Sequence, residues 1–245
     1  MTFTLASRLC VSDRKLGSLL RFHVPRVMSL ALGGMLLSCA NPPQADTAPL
    51  SAEETFQRLE AELLIKPEVR LGYRIESSGA FSASLEGELR LLGQSDVDLS
   101  GTGSFGDAQV ELRLESAAGV LRGGSSALAF EEPVPEHLRQ AIVIGFTRMG
   151  LLHNLARLSA ARAPDHASGG VEEWVQPRHL VYVERPPDGA SPLRGLAFEI
   201  EVAGQNSGEA ELWLDAHGQP VRRQQIVRFP GGEIRVVEEY RILTP

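Results

Sequence analysis

A single long helical pattern, set between two runs of strand-like alternation, constrains this chain most. Residues 135–158 place Leu138, Ile142, Phe146 and Met149 at spacings of four, four and three, so these side chains share one face of a helix. The segments on either side alternate apolar and polar residues with the period of two that half-buried strands show. The pattern predicts two antiparallel runs of strand that curve around a central helix.

The first 38 residues form a leader rather than a part of the folded domain. Residues 1–27 contain five basic residues and one acidic residue, and an apolar run follows at 27–37. A basic segment, a short apolar run and small residues near a cleavage point are typical of a secretory signal peptide. The apolar run is about half the ~20 residues that a membrane-spanning helix needs, so we interpret residues 1–38 as a signal peptide.

The end of this leader carries a lipidation motif. The sequence LLSC at 36–39 resembles the lipobox of bacterial lipoproteins, whose cysteine is acylated, with palmitate among the acyl chains, and becomes the first mature residue. The resemblance implies a membrane anchor at Cys39, and Ala40 after it implies outer-membrane sorting, facing the periplasm, in a two-membrane envelope. An ordinary cysteine at a signal-peptide cut is the alternative. Cys10 lies in the leader, so no disulfide framework is available to the mature chain.

The charge balance limits the partners of the mature chain. The whole chain has 24 basic and 31 acidic residues, and removal of the leader leaves 19 and 30, a net charge of −11. Nucleic-acid binding needs clustered lysine and arginine, and so does a second, electrostatic attachment to anionic lipid. We therefore expect no nucleic-acid partner and a membrane attachment that depends on acyl chains, of which stable anchoring needs two or more.

The mature chain divides into a tether and one domain. Residues 39–50 are rich in proline and alanine, and they predict an anchor and flexible tether that reaches at most ~35 Å at ~3.3 Å per residue. Residues 51–245 suit a single domain. Ser51 and Glu54 match a capping box, which predicts a short amphipathic helix that ends before Pro67.

The expected fold class is α+β. Five strands are predicted between residues 69 and 130 and six between 171 and 243, with Pro135 in the first turn of the central helix and a helix break near Gly150. About eleven strands in one antiparallel sheet should curl. We therefore expect a curved, unclosed half-barrel covered by a central helix or helix pair and by the N-terminal helix.

The remaining motifs favour structural explanations over chemistry. The G-x-G-x-x-G string at 101–106 precedes alternating residues instead of a helix, so we interpret it as a β-turn. Asp165 with His166, and Asp215 with His217, could act as acid/base pairs in a hydrolase, but aspartate in turns explains both. Adjacent glutamates at 131–132, 172–173 and 238–239 point to opposite faces of a strand, and we interpret them as solvated. We expect no enzyme activity, no metal and no cofactor.

The element order resembles the outer-membrane lipoprotein carrier and receptor (LolA/LolB-like) superfamily. The segment LWLDAHGQPVRR at 212–223 is similar to a hairpin of these proteins in which an aspartate-containing turn leads into a proline. The resemblance implies a half-barrel whose apolar concavity accepts acyl chains. Arg70 and Arg74 both match the family's gating arginine loosely, so neither is assigned. Phe105 resembles, by position, an apolar residue that projects from the turn between the third and fourth strands and contacts a membrane or partner.

The functional expectation combines the anchor with the apolar interior. We expect an envelope lipoprotein that binds acyl chains of lipids or lipoproteins, in lipoprotein localisation or lipid transfer; the alternative is a structural or interaction lipoprotein with a filled core. The sequence leaves the oligomeric state open. The predicted cavity lining comprises Tyr73, Leu85, Leu89, Leu112, Leu114, Leu138, Ile142, Phe146, Met149, Phe198, Ile200 and Leu212.

Overall fold

The computed structural model describes residues 49–163, 174–184 and 193–243. It opens with helix α1, Ala52–Ile65, whose predicted capping box is present. The Ser51 hydroxyl accepts the N–H of Glu54 at 3.2 Å, and the Glu54 carboxylate accepts the N–H of Ser51 at 2.8 Å. Helix α1 ends at the residue before Lys66, as the following proline requires.

Eleven antiparallel strands form one unclosed sheet, as predicted. Their order is β6-β5-β4-β3-β2-β1-β11-β10-β9-β8-β7. The first strand, β1, therefore pairs with the last, β11, at the centre of the sheet, and β6 and β7 are its edges. The strands are β1 Glu68–Gly79, β2 Ala83–Leu92, β3 Asp96–Phe105, β4 Ala108–Ala117, β5 Val120–Ser125, β6 Ala129–Pro133, β7 Val175–Val183, β8 Arg194–Val202, β9 Gln205–Leu214, β10 Pro220–Phe229 and β11 Gly232–Ile242.

The division of these strands between the two runs differs from the prediction. Six strands precede the central helical segment and five follow it, because the glycine-rich segment folds into the two short strands β5 and β6. Conversely, the strand predicted near residues 180–183 belongs to β7, Val175–Val183, which begins at the last residue of the segment predicted at 171–175. Residues 171–173 of that segment lie outside the described residues. A register shift between Arg178 and Val181 interrupts the alternation of β7, and His179 there has φ of 53°. A bulge of this kind breaks the period of two on which the prediction rested.

The central helical segment is broken at the predicted place. Helix α2, Leu138–Ile144, continues into a π-helical turn, Gly145–Met149, and helix α3, Leu151–Ser159, follows. Gly150 has φ of +85°, which ends the π-helical turn. Pro135 lies three residues before α2 instead of in its first turn, and its carbonyl accepts the N–H of Leu138 at 3.2 Å.

The sheet has two chemically different faces. Alternate residues of each strand point toward the helices and form one apolar core with them, whereas the outer face is largely polar. Tyr73 lies across the inner face of two neighbouring strands, where its hydroxyl donates to the carbonyl of Ser100 at 2.7 Å. Gly87 and Gly101 leave the room for it, because an added Cβ would lie 2.5 and 2.4 Å from the Tyr73 hydroxyl.

Candidate functional site on the inner face of the sheet

The predicted cavity lining is brought together on the inner face. All eight sheet residues of that set belong to the core, and so do Leu138, Ile142 and Phe146 from the helices. Met149 is half-buried and packs against the same core. Aromatic contacts tie the helices to the sheet: the Phe146 and Tyr240 rings lie 4.9 Å apart, and Phe56 of α1 lies 5.2 Å from Phe198. The helical stripe and the sheet therefore face each other as predicted.

The expected hollow between them is filled in this conformation. Tyr73 is 5% exposed, Phe146 and Phe198 are 4% exposed, and the other core members of the set are at or below 2%. Two cavities of about 640 and 550 Å³ lie along the sheet, lined mainly by residues that point to its outer face. An acyl chain would therefore enter the interior only if the helices moved away from the sheet.

Polar side chains of the sheet hold the helix break, residues 147–152, onto β10 and β11. Arg223 donates to the carbonyls of Thr147 and Arg148, at 2.7 Å each. The side-chain oxygen of Gln225 accepts the Nε–H of Arg223 at 2.8 Å, and its NH₂ group donates to the carbonyl of Met149, also at 2.8 Å. Side chains of β10 thus satisfy the carbonyls at the C-terminal end of the π-helical turn.

The start of α3 is held in the same way from β11. The carboxylate of Glu238 accepts the N–H of Leu151 at 2.8 Å and that of Leu152 at 3.0 Å, and the Tyr240 hydroxyl donates to it. A carboxylate is well placed at a helix N-terminus, where the first N–H groups lack partners within the helix. We call Arg223, Gln225, Glu238 and Tyr240 the sheet-side network.

The sheet-side network carries charge in the interior. Arg223 and Glu238 are both fully buried. Burial lowers the pKa of Arg223, an effect that the negative charge of Glu238 opposes. Burial, reinforced by Glu238, raises the pKa of Tyr240 well above its ordinary value and also raises that of Tyr73. Buried charges of this kind require partners, so separation of the helix break from the sheet carries a large free-energy cost unless water or a ligand replaces those partners.

Two further buried contacts fix α1 to the central helices. Glu60 forms a partly buried ion pair with Arg148 at 2.7 Å and accepts the hydroxyl of Thr147 at 2.6 Å. Arg139 donates to the carbonyls of Leu63 and Lys66 at the end of α1, at 2.8 and 2.6 Å. Burial lowers the pKa of Arg139. The helices are therefore joined to one another as one cover over the sheet.

The sequence interpretation missed the sheet-side network. Glu238 was grouped with Glu239 as solvated, which is wrong for Glu238, since only Glu239 is exposed. The signal was present: Glu238 is in phase with the apolar residues Val236 and Tyr240, and a charge in that register points to the interior.

The two arginines weighed for the gating role do not point inward. Arg70 and Arg74 alternate with inner-facing residues of β1 and so lie on its outer face, where Arg74 pairs with Glu86 at 3.4 Å. The buried arginines of the described chain are Arg139 and Arg223.

Phe105 is not in a turn. It is the last residue of β3, half-buried, and its ring lies 5.4 Å from that of Phe81. The turn itself is formed by the two residues that follow. The interpretation of the G-x-G-x-x-G string at 101–106 as a β-turn therefore holds only for Gly106, because the other five residues belong to β3.

Asp215 stabilises the turn between β9 and β10. Asp215 accepts the N–H groups of His217 and Gln219 at 2.8 and 2.9 Å, which is the predicted turn chemistry. Asp165, His166 and Cys39 lie outside the described residues. In the ranges that the structure describes, no group of three or more His, Cys, Asp or Glu residues is arranged to hold a metal ion. No described helix has the length and hydrophobicity to cross a membrane.

Comparison with known proteins returns structural neighbours only. No protein-family model matches the chain, and no curated protein does. LprF from Mycobacterium bovis aligns at 10% identity over 79% of this chain and 93% of its own, with a TM-score of 0.40. A LolA superfamily protein from Nitrosomonas europaea aligns at 10% identity over 80% and 95%, with a TM-score of 0.32. A domain described as an outer membrane lipoprotein-sorting protein, from Vibrio parahaemolyticus, aligns at 13% identity over 79% and 92%, with a TM-score of 0.31.

These neighbours include the superfamily that the sequence resembles. The fold class rests on the strand order and on the helices that cover one face of the sheet.

Proposed function

We propose that this protein is a non-catalytic lipoprotein of the cell envelope, anchored through Cys39 to the outer membrane, that binds acyl chains of lipids or lipoproteins between sheet and helices. The observation that supports the proposal is the apolar core that the sheet and the helices form together. One apolar surface extends over the inner face of the sheet, and helices that are fastened by polar side chains at their break cover it. Residues 1–38 are the leader, 39–50 the anchor and tether, and 51–245 the binding domain.

The energetics of such a site allow reversible binding. Transfer of an acyl chain from water to an apolar interior gains ~0.8 kcal/mol per methylene, whereas transfer from a bilayer gains almost nothing. Because the interior is filled in the closed conformation, binding must replace contacts of Phe146 and its neighbours with contacts to the guest. The hydrogen bonds of the sheet-side network give the helices a defined closed position, to which they return after the acyl chain is released.

The proposal is tested by uptake of a fluorescent fatty-acyl probe by the mature chain with Cys39→Ser. We expect saturable uptake that Phe146→Asp reduces at least tenfold, because a carboxylate in the apolar interior excludes hydrocarbon. Phe229→Asp is the matched control, since Phe229 is 42% exposed at a turn. Circular dichroism verifies that both variants fold. Phe146→Ala, which adds no charge, provides a second variant at the same position.

A specific observation favours the second candidate, a structural or interaction lipoprotein with a filled core. Leu114, Ile142, Ile200 and Leu212 are inaccessible in the closed conformation, as a packed core requires. Absence of saturable uptake by the folded wild-type chain would select this candidate.

A further inference from the structure

The helices cover the inner face of the sheet only in part. The exposed fraction rises from 4% at Ala83, the first residue of β2, to 38% at Phe81, two residues before the strand begins. Along β10 it rises from 6% at Gln225 to 42% at Phe229, which is in phase with the inward-facing residues of that strand. Val227 between them is half-buried. The cover therefore ends before the end of the sheet at which β1 joins β2 and β10 joins β11.

Five hairpins lie at this end of the sheet, which we call the hairpin end. Because neighbouring strands are antiparallel, the hairpins of β1–β2, β3–β4, β5–β6, β8–β9 and β10–β11 all turn there. The rings of Phe81 and Phe105 lie 5.4 Å apart. An added Cβ on Gly232 would lie 2.8 Å from the Cβ of Ala80, so the three central hairpins are in contact. The half-buried apolar side chains there that pack against the core are Phe105, Val202, Val227 and Ile234. One apolar surface thus continues from the interior to the hairpin end.

The loops of the hairpin end are nearly uncharged. In a chain in which 22% of the residues are charged, the residues that join the paired strands there include one charged side chain, that of Asp107. These residues are 80–82, 106–107, 126–128, 203–204 and 230–231. A surface of this composition can enter the headgroup region of a bilayer with only one charge to desolvate.

The opposite end of the sheet is closed and acidic. The N–H of Gly93, in the hairpin of β2 and β3, donates to the carbonyl of Pro67 at 3.0 Å, so α1 ends beside this hairpin. The inward-facing residues Val69 and Leu91 are buried there. The exposed charged side chains of α1 are Glu53, Glu54, Arg58 and Glu62. Of the two ends, the hairpin end is therefore the one at which the apolar core is more accessible.

We propose that the hairpin end docks on a lipid bilayer and that acyl chains pass there between sheet and helices, an inference that rests on the proposed function. A chain that moves along continuous apolar surface stays out of water, and each methylene that entered water would raise the barrier. A bilayer fits better than a protein partner, because the loops present a single charge with which to orient a protein surface. We expect an electrically neutral bilayer, since the mature chain has a net charge of −11.

The docking test measures flotation of the mature chain with phosphatidylcholine vesicles, with Cys39→Ser to remove the acyl anchor. We expect this chain to bind, and Phe81→Asp/Phe229→Asp to lower its partition coefficient at least tenfold, because two carboxylates would have to leave water. Ile65→Asp/Leu92→Asp is the matched control. It adds the same two charges at exposed apolar positions of the opposite end and should leave the partition coefficient unchanged. Circular dichroism verifies that both double variants fold.

The entry test measures the rate at which a fatty-acyl probe is transferred from the same vesicles to the protein. Phe81→Asp/Phe229→Asp should slow this transfer at least tenfold. Equilibrium uptake of the probe from solution should stay unchanged, because both side chains lie outside the buried interior. Phe229→Asp therefore serves as a control for equilibrium uptake and as a hairpin-end variant for the rate of transfer.

Three results would overturn the proposal. They are absence of vesicle binding by the chain without these substitutions, equal loss of binding in the two double variants, and transfer from vesicles that the hairpin-end variant does not slow. Probe uptake without vesicle binding would indicate a protein donor instead of a bilayer. Absence of probe uptake by any route would refute the proposed function, and flotation, which needs no probe, would then decide the docking by itself.

Discussion

Glu238 accepts the backbone N–H of Leu151 at 2.8 Å, across 87 positions of sequence, and so joins the last strand of the sheet to the start of α3. This contact fixes where the helix that began at Leu138 stops and the next begins. The same carboxylate receives the N–H of Leu152 and the hydroxyl of Tyr240. The position of the helical cover thus depends on a buried side chain far away in sequence.

Replacement of Glu238 by glutamine should destabilise the fold. The neutral side chain retains one acceptor oxygen, so one backbone N–H of α3 loses its partner in the interior, at a cost of about 1–3 kcal/mol. Urea unfolding measures the change. Glu239→Gln is the control, because Glu239 is exposed on the outer face and its replacement should lie within about 0.5 kcal/mol of wild type. Equal effects of the two variants would contradict the assigned role.

Gly150→Ala should be destabilising for two reasons that a control can separate. Its φ is +85°, which side chains rarely adopt, and an added Cβ would lie 2.6 Å from the Glu238 carboxylate. Gly218 has φ of +75° with open space around it, so Gly218→Ala measures the cost of the backbone conformation alone, about 1 kcal/mol. We expect Gly150→Ala to cost at least about 1 kcal/mol more in free energy of unfolding. The same cost for both would show that Glu238 does not restrict this position.

The pairing of β2 with β3 should be sensitive to Gly87. An added Cβ would lie 1.9 Å from the carbonyl oxygen of Ser100 and 2.5 Å from the Tyr73 hydroxyl, so Gly87→Ala should lower the melting temperature by several degrees. Gly72→Ala is the control, because its nearest atom is at 3.7 Å. Differential scanning calorimetry compares the two, and an unchanged melting temperature for Gly87→Ala would be inconsistent with the position of Tyr73.

Stability should fall in alkaline solution because of Tyr73 and Tyr240. Burial first, and then the charge of Glu238, raises the pKa of both phenols in the folded protein. Above pH ~10 the unfolded chain loses these protons while the folded chain keeps them, so the unfolded state binds fewer protons and the free energy of unfolding decreases with pH. Below pH ~10 the contribution is fully present. Tyr73→Phe should flatten the decline between pH 9 and 11 in urea unfolding, and an unchanged slope would contradict this cause.

The sequence predicted the apolar framework better than the polar one. The capping box at Ser51, the alternation of the strands and the break at Gly150 depend on local patterns, and all three are present. The bulge beside His179 interrupts the alternation of apolar and polar residues, so the sequence pattern did not indicate that β7 is one continuous strand.

The partners of the sheet-side network could not be predicted locally. Arg223 and Glu238 become acceptable in the interior only because the helix break presents its free carbonyls and N–H groups to them. Those pairings connect positions more than seventy residues apart, and no local pattern specifies them. A charged residue in phase with apolar neighbours is nevertheless a usable signal, and Glu238 between Val236 and Tyr240 shows it.

The central claim, that the cover opens to admit an acyl chain, is tested most directly by amide hydrogen exchange at Leu151 and Leu152. We expect a saturating fatty acid to accelerate exchange at these two N–H groups, because their contacts with Glu238 must break, while amides of the paired strands β1 and β2 exchange as before. Unchanged exchange at Leu151 and Leu152 in the presence of bound fatty acid would contradict the account.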